Sequence, residues 1–238
     1  MTKNTDMDLV KALAKTLLYL EIQPTKYSPV IVSHPFTDTG IIGLPDKNKE
    51  TKMIDLLRDS EGRDDWRGYM TNRIEKSETV SEILAFVTKP YKLTFISFAE
   101  QYLSKDDLSD AIRCSWSSIE IISNDIDVPP SRIRTLLKKC NPLLLMDASE
   151  KKGYASLPDV ITVYRGVNGL KRQKQIKSFS WSLDKKVAEW FSSRFDGDSH
   201  IYQAEIEKNH IFAYFKGRGE EEIVVDPKFL LNMKEINK

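Results

Sequence analysis

Arginine, serine and glutamate side chains mark three short stretches in the last third of the 238-residue chain. The stretches are residues 163–166 at the end of an apolar run, residues 178–184 ahead of a helical pattern, and residues 217–227 with three adjacent glutamates. A guanidinium binds phosphate through a planar fork of donors, and carboxylates stabilise a developing positive charge. Together these residue types predict one site that binds phosphate and supports a reaction with a developing positive charge.

The arginine of the first stretch, Arg165, ends a strand-like run and is followed by Gly166. An arginine in this position can direct its donors into a cleft, where phosphate is its natural partner. Residues 171–177 add positive charge through Lys171, Arg172, Lys174 and Lys177. Taken alone, a strand-end arginine is more often an exposed or salt-bridged structural residue.

The second stretch alternates serine with bulky residues. On a strand, Ser178, Ser180 and Ser182 point to the same side, where a hydroxyl can orient a carboxylate or a ribose. The competing interpretation is the approach to a helix N-terminus, because Ser and the following Asp184 are the residues expected there.

The acidic triplet is the most specific of the three features. On a strand, Glu220 and Glu222 would face one way, about 6.6 Å apart along the chain, with Glu221 on the other side. One carboxylate could then stabilise an oxocarbenium-like centre while the other accepts a proton from the nucleophile. The competing interpretation is a solvated acidic turn.

In this order, Arg165, Ser180 and Glu222 resemble the R-S-E class of mono-ADP-ribosyltransferases. Ser180 follows Arg165 by 15 residues, and Glu222 follows Ser180 by 42. The resemblance covers residues 158–228 and is greatest to small bacterial and prophage-encoded members. Where the family has Ser-Thr-Ser, the middle residue here is Trp181.

The resemblance implies NAD as a co-substrate, no metal, and a set of residue roles. Arg165 would hold the NAD phosphates and the nicotinamide-side ribose, and Ser180 would position Glu222. Glu222 would bind the ribose hydroxyl and stabilise the cation, while Glu220 would orient and deprotonate the acceptor. The implied NAD-binding residues are Arg165, Gly166, Ser180, Trp181, Ser182 and Glu222. The implied acceptor-recognition residues, around a mobile loop at 212–219, are Tyr214, Phe215, Arg218 and Glu220.

We therefore expect an NAD-dependent transferase that modifies an arginine of an intracellular protein. One alternative keeps the enzyme but makes a base of RNA or DNA the acceptor, held by Tyr214, Lys216 and Arg218, in a toxin or phage-defence effector. Another is a non-enzymatic interaction protein of a phage or toxin system. A cognate inhibitor or antitoxin is a further hypothesis, because a free transferase would harm its own host.

Composition excludes several other classes of protein. The formal net charge is +1, so no global charge favours nucleic acid or membrane. Neither Cys114 nor Cys140 belongs to a CxxC pair, and the three histidines lack metal-ligand spacing. The sequence has neither a signal-peptide pattern nor a long apolar stretch. These features predict a cytoplasmic protein without a membrane partner.

The elements that must position the site change in character along the chain. Residues 1–155 read as a mainly helical region, packed on or leading into a strand-rich core at residues 156–238. The predicted fold class is α+β, and the resemblance implies that the core is a split β-sandwich of the ADP-ribosyltransferase type.

Local patterns give the individual elements. Helices are predicted at 6–20, 49–58, 79–87, 105–119 and 130–140, with a solvated loop at 59–65; residues 91–98 fit either a helix or a strand. In the core, strands are predicted at 160–164, 199–206, 211–215 and 223–225. A helix capped by Asp184 should direct Val187, Ala188, Phe191 and Phe195 inward.

Overall fold

A computed structural model describes residues 4–45, 50–116, 118, 128–170 and 173–236. It divides the chain into two compact units, Met1–Ile119 and Glu120–Lys238. This division differs from the predicted boundary at residues 155/156. The helices between residues 130 and 156 therefore belong to the same unit as the strand-rich core.

The first unit combines helices with short antiparallel strands. Its described helices are α1 (Met7–Leu18), α2 (Ser60–Lys76), α3 (Val80–Phe86), α4 (Lys92–Ala99) and α5 (Lys105–Trp116). Its described strands are β1 (Gln23–Pro24), β2 (Ile31–His34), β3 (Thr37–Thr39), β4 (Ile41–Pro45) and β5 (Thr51–Asp55). Strands β1, β2 and β3 form one sheet in that order, and β4 pairs with β5.

Two local predictions in this unit are wrong. Residues 51–55 form strand β5 instead of a helix, because they pair in antiparallel register with β4. Residues 59–65 begin helix α2 instead of forming a loop, because the Asp59 side chain caps the helix by accepting from the Gly62 backbone N–H. The helix buries every fourth residue along one stripe, at Gly62, Trp66, Met70 and Ile74.

A buried histidine closes the core of the first unit. His34, at the end of β2, is 1% exposed, and its Nδ1 accepts from the backbone N–H of Phe36 at 3.1 Å. Its ring meets the edge of Trp66, with ring centroids 5.6 Å apart. Burial, helped by the charge of Arg67 and opposed by main-chain hydrogen bonding, lowers the pKa of His34 from 6.5 to about 4.

The second unit is built on a large antiparallel sheet. Its described helices are α6 (Pro130–Lys139), α7 (Pro142–Leu145), α8 (Ala148–Ser156), α9 (Gln173–Ile176) and α10 (Lys185–Ser192). Its described strands are β6 (Val160–Asn168), β7 (Ser180–Ser182), β8 (Ser199–Glu207), β9 (Ile211–Phe215), β10 (Glu222–Val225) and β11 (Leu231–Ile236). Their order in the sheet is β11-β8-β6-β7-β10-β9.

The chain is thus an α+β protein, as predicted, but strands occur in both units. No helix in the described part of the chain is long and apolar enough to cross a membrane. Helix α10 begins where predicted, after Asp184, whose side chain accepts from the Lys186 N–H. One detail is wrong: Phe195 lies beyond the end of α10 and is 64% exposed, so it does not face inward.

We expect His34 to make the stability of the first unit depend on pH. Between pH 6.5 and about 4 the unfolded chain binds a proton that the folded histidine does not, so stability present above pH 6.5 is lost as the pH falls. The full effect is about 3 kcal/mol. Urea unfolding followed by tryptophan fluorescence should therefore show a shallower pH dependence in His34→Gln than in the wild type.

The matched control is His210→Gln, which changes a histidine of the second unit that stacks on Phe229. It should leave the pH dependence of unfolding of the first unit unchanged. If His34→Gln and the wild type have parallel unfolding profiles from pH 7 to pH 4, the histidine is not the group responsible.

Candidate functional site

The three predicted motifs meet on neighbouring strands, because β6, β7 and β10 are adjacent in the sheet. Tyr164 of β6 is paired with Ser182 of β7, and Ser182 is paired with Glu222 of β10. The row continues to Gln203 of β8 on one side and to Phe215 of β9 on the other. Directly paired residues project from the same face, so these five side chains form one row across the sheet.

Of the two serines on β7, Ser182 is the one paired with Glu222. It lies directly across from Glu222, whereas Ser180 lies across from Val224. The Ser182 hydroxyl donates to the main-chain oxygen of Glu220 at 2.7 Å and accepts from the Asp184 N–H at 3.0 Å. Ser180 lies two residues before Ser182 and shares its face by strand alternation. Both serines therefore lie on the glutamate's face, with Ser182 holding the turn before it.

Arg165 ties β6 to the elements that follow it. Its side chain is half-buried. Nε donates to the main-chain oxygen of Gln175 and Nη1 donates to the main-chain oxygen of Ser180, each at 2.5 Å. Burial lowers its pKa to about 10, and the charge of Glu222 acts in the opposite direction. The guanidinium therefore stays protonated at neutral pH. Strand alternation puts Arg165 and Tyr164 on opposite faces of β6, yet the Glu222 carboxylate still acts on the guanidinium.

The predicted geometry of the acidic triplet is wrong. Gly217–Gly219 form a short 3₁₀ turn, Gly219 has φ +70°, and Glu220 is in the right-handed helical region. Glu221 has φ +42°, a left-handed conformation that is uncommon for residues other than glycine. Strand β10 starts only at Glu222. Strand alternation therefore cannot place Glu220 and Glu222 on one side, because a turn joins them.

Two residues predicted to bind the cofactor also have packing roles. Trp181 is 2% exposed, and its indole N–H donates to the Ser178 oxygen at 2.9 Å. Gly166 has a packing reason: a Cβ there would lie 1.9 Å from the Ala188 oxygen of α10. The Trp181 side chain is therefore a buried core residue, and Gly166 allows helix α10 to approach strand β6.

The predicted acceptor-recognition loop is shorter than expected. Strand β9 runs to Phe215, so only residues 216–221 form the loop, and the prediction of a loop from 212 is wrong. Tyr214 is 3% exposed and donates to Glu221 Oε1 at 3.1 Å, which leaves it buried and unable to grip an acceptor. Phe215 is half-buried in the row with Glu222. The side chain of Arg218 lies outside the described part of the chain, as do residues 171 and 172.

Glu150, which the sequence analysis missed, supports this loop from helix α8. It is 7% exposed, and its Oε1 accepts from the Lys216 N–H at 3.1 Å. Its Oε2 accepts from the Asp147 N–H while the Asp147 side chain accepts from Glu150, which together form a capping box. Asp147 and Glu150 have the three-residue spacing typical of that motif, which was the available signal.

No protein-family model, curated protein or solved structure matches this chain. Among the described residues, no three His, Cys, Asp or Glu side chains gather as a metal site would require. The function must therefore be inferred from the residues and geometry of the site.

We expect Arg165→Lys to destabilise the second unit. Lysine keeps the positive charge but cannot reproduce two directional bonds to the Gln175 and Ser180 oxygens, so the free energy of unfolding should fall by about 2 kcal/mol. Chemical denaturation measures this loss. Arg194→Lys is the control, because within the described part of the chain Arg194 contacts only the exposed rings of Trp190 and Phe195, and this substitution should cost under about 1 kcal/mol. Equal losses of unfolding free energy in the two variants would show that the two hydrogen bonds of Arg165 do not stabilise the second unit.

Gly166→Ala tests the close approach of α10. The added methyl would collide with the Ala188 oxygen and lie 2.7 Å from the Ser192 nitrogen, so the helix must shift, at a cost of about 1–3 kcal/mol. Gly217→Ala, where a Cβ meets nothing within 4 Å, should change stability by less than about 0.5 kcal/mol. Thermal unfolding of both variants measures the difference in stability. A Gly166→Ala variant as stable as the wild type would refute the close approach of α10.

Proposed function

We propose that the chain is an NAD-dependent mono-ADP-ribosyltransferase whose second unit is the ADP-ribosyltransferase core. One observation carries the proposal. Three motifs far apart in sequence lie on adjacent strands, and Glu222 is in register with Ser182 and within electrostatic reach of Arg165. A solvated acidic turn would not require an arginine, serines and a glutamate on three adjacent strands.

The proposed reaction begins at the bond between the ribose C1′ of NAD and the nicotinamide nitrogen. This bond breaks, and its electron pair neutralises the pyridinium nitrogen, so nicotinamide leaves as a neutral molecule. The ribose gains oxocarbenium character, which the Glu222 carboxylate stabilises. An acceptor nitrogen then bonds to C1′ and loses one proton to a base, for which Glu220 is the proposed group.

The phosphate role proposed for Arg165 is compatible with its contacts. Its bonds to the Gln175 and Ser180 oxygens use Nε and Nη1. Toward the described residues, Nη2 donates no hydrogen bond, and that group provides two further donors. The two main-chain bonds hold the guanidinium plane in place, and a fixed plane suits bidentate binding of a phosphate.

For the acceptor, we propose the guanidinium of a protein arginine. The nucleic-acid alternative used Tyr214 together with Lys216, Arg218 and the basic segment 171–177, and a tyrosine with 3% exposure cannot stack on a base. A carboxylate near the reaction centre also suits a cationic acceptor, which must be oriented and relieved of a proton. The proposed acceptor is therefore a protein, and the proposed reaction takes place in the cytoplasm, where NAD is available.

We expect Glu222→Gln to fold normally and to lose nearly all NAD cleavage. The substitution keeps the shape and removes the charge that stabilises the cation, which costs about 10²–10³-fold in rate. Release of nicotinamide from NAD is the measurement. The control is Glu221→Gln, in which the amide oxygen can still accept from Tyr214, so it should keep most of the activity.

Two results would count against this assignment. Loss of activity in Glu221→Gln with retention in Glu222→Gln would reverse the roles of the two glutamates. A wild-type protein that releases no nicotinamide would refute the enzymatic proposal and favour an interaction protein.

A further inference from the structure

We infer that Tyr214, Glu221 and Glu150 are positioning residues that hold residues 216–221 in one conformation, and that this conformation determines whether ADP-ribose goes to an acceptor or to water. The inference deepens the proposed function and rests on it. None of the three residues needs to touch NAD. They would act through Glu220, which lies inside the segment they hold.

The segment is fastened at several points. At its start, the Lys216 N–H donates to Glu150 Oε1 at 3.1 Å. Near its end, the main-chain oxygen of Glu220 accepts from the Ser182 hydroxyl at 2.7 Å, and the main-chain oxygen of Glu221 accepts from the Leu183 N–H at 3.1 Å. These contacts come from α8 and from the end of β7, so the segment is held from two sides.

The side chain of Glu221 provides the remaining contact. Its left-handed backbone, with φ +42°, is unfavourable for a residue with a Cβ and persists only when its surroundings impose it. The bond from the Tyr214 hydroxyl to Glu221 Oε1 is one such restraint. It directs the carboxylate of Glu221 toward the buried tyrosine of β9, and the turn that results separates Glu220 from strand β10.

Tyr214 is itself rigidly placed. Its ring packs against Gly153 of α8, where a Cβ would lie 2.3 Å from Tyr214 Cε1, and its backbone N–H points to Met146 Sδ at 3.3 Å. Burial, together with the hydrogen bond and charge of Glu221 and the charge of Glu150, raises the pKa of Tyr214 to about 12. The hydroxyl therefore remains a donor to Glu221 throughout the neutral range.

These contacts should affect transfer more than cleavage. Glu222 is held within the sheet by its pairing with Ser182 and Phe215, which does not depend on the tyrosine hydroxyl. Glu220 precedes β10 and lies in the turn, where its main-chain oxygen accepts from the Ser182 hydroxyl. Loosening the turn should therefore leave the group that stabilises the cation in place and misplace the group that receives the acceptor's proton.

The experiment removes one hydroxyl, in Tyr214→Phe. Nicotinamide release and transfer of labelled ADP-ribose are measured together, with agmatine, lysate protein and RNA offered as acceptors. We expect nicotinamide release within about threefold of the wild type and a fall of about tenfold in the label transferred per nicotinamide released. Glu221→Ala should give the same fall in this ratio, and Glu221→Gln, which keeps an acceptor for the tyrosine, should restore it.

Tyr154→Phe is the matched control. It removes a tyrosine hydroxyl from α8 in the same unit, where the lost bond goes to the Lys208 oxygen at 3.1 Å, and it should leave the ratio unchanged. A general loss of packing would lower both activities and leave the ratio unaffected, so the ratio separates positioning from simple destabilisation.

Three outcomes would overturn the inference. An unchanged ratio in Tyr214→Phe would show that the hydroxyl does not control the loop's function, and so would an equal fall in the Tyr154→Phe control. If the wild type releases nicotinamide but labels none of the three acceptors, NAD cleavage is supported and the inferred control of transfer is contradicted. If the wild type releases no nicotinamide, the proposed function fails first, and this result is distinguishable from the others.

Discussion

The half-buried guanidinium of Arg165 imposes the constraint on which the site depends. A cation removed from water is tolerated only where acceptors or opposite charge replace the lost solvation. Here the Gln175 and Ser180 oxygens accept from it, and the Glu222 charge favours its protonated form. One acceptor belongs to β7 and the charge belongs to β10. The interactions that stabilise the Arg165 cation on β6 therefore involve all three strands.

The residue after the arginine meets a different need. Gly166 lets the backbone of α10 approach β6 more closely than any side chain would permit. Helix α10 itself starts at Asp184, directly after the strand that carries Ser182. Two neighbouring residues of β6 therefore supply the positive charge of the site and the close packing of its neighbouring helix. A change at either position would be felt at the other, because only one peptide bond separates them.

Local sequence predicted the elements whose caps and periods agree with their surroundings. Helix α10 has a clear Asp cap, and β8 has apolar residues in alternation. The prediction failed at α2 because its charged residues suggested a loop, although buried residues recur there at every fourth position. It failed at β5 because a two-stranded pairing with β4 overrides the helical spacing of Met53, Ile54 and Leu57.

The site was predictable in its residue types but not in its geometry. Arg165, the serines and Glu222 could be selected from the sequence, since each has a chemistry suited to the same ligand. The register that pairs Ser182, and not Ser180, with Glu222 is a property of the sheet, and one residue pair separates the two assignments. The burial of Trp181 and Tyr214 likewise depends on which face of the sheet is covered.

The turn at Glu221 has the largest consequence. A triplet of glutamates in an extended strand would present two carboxylates at a spacing fixed by the pleat, with no way to adjust it. A left-handed residue in the middle removes that restriction, so the separation of Glu220 from Glu222 is set by the contacts of the loop. Glu222 is held by the sheet and Glu220 by Ser182, Glu150 and Tyr214, through the loop that contains it. Under the proposed function, the acceptor side of the site can therefore change without altering the strand that serves cleavage.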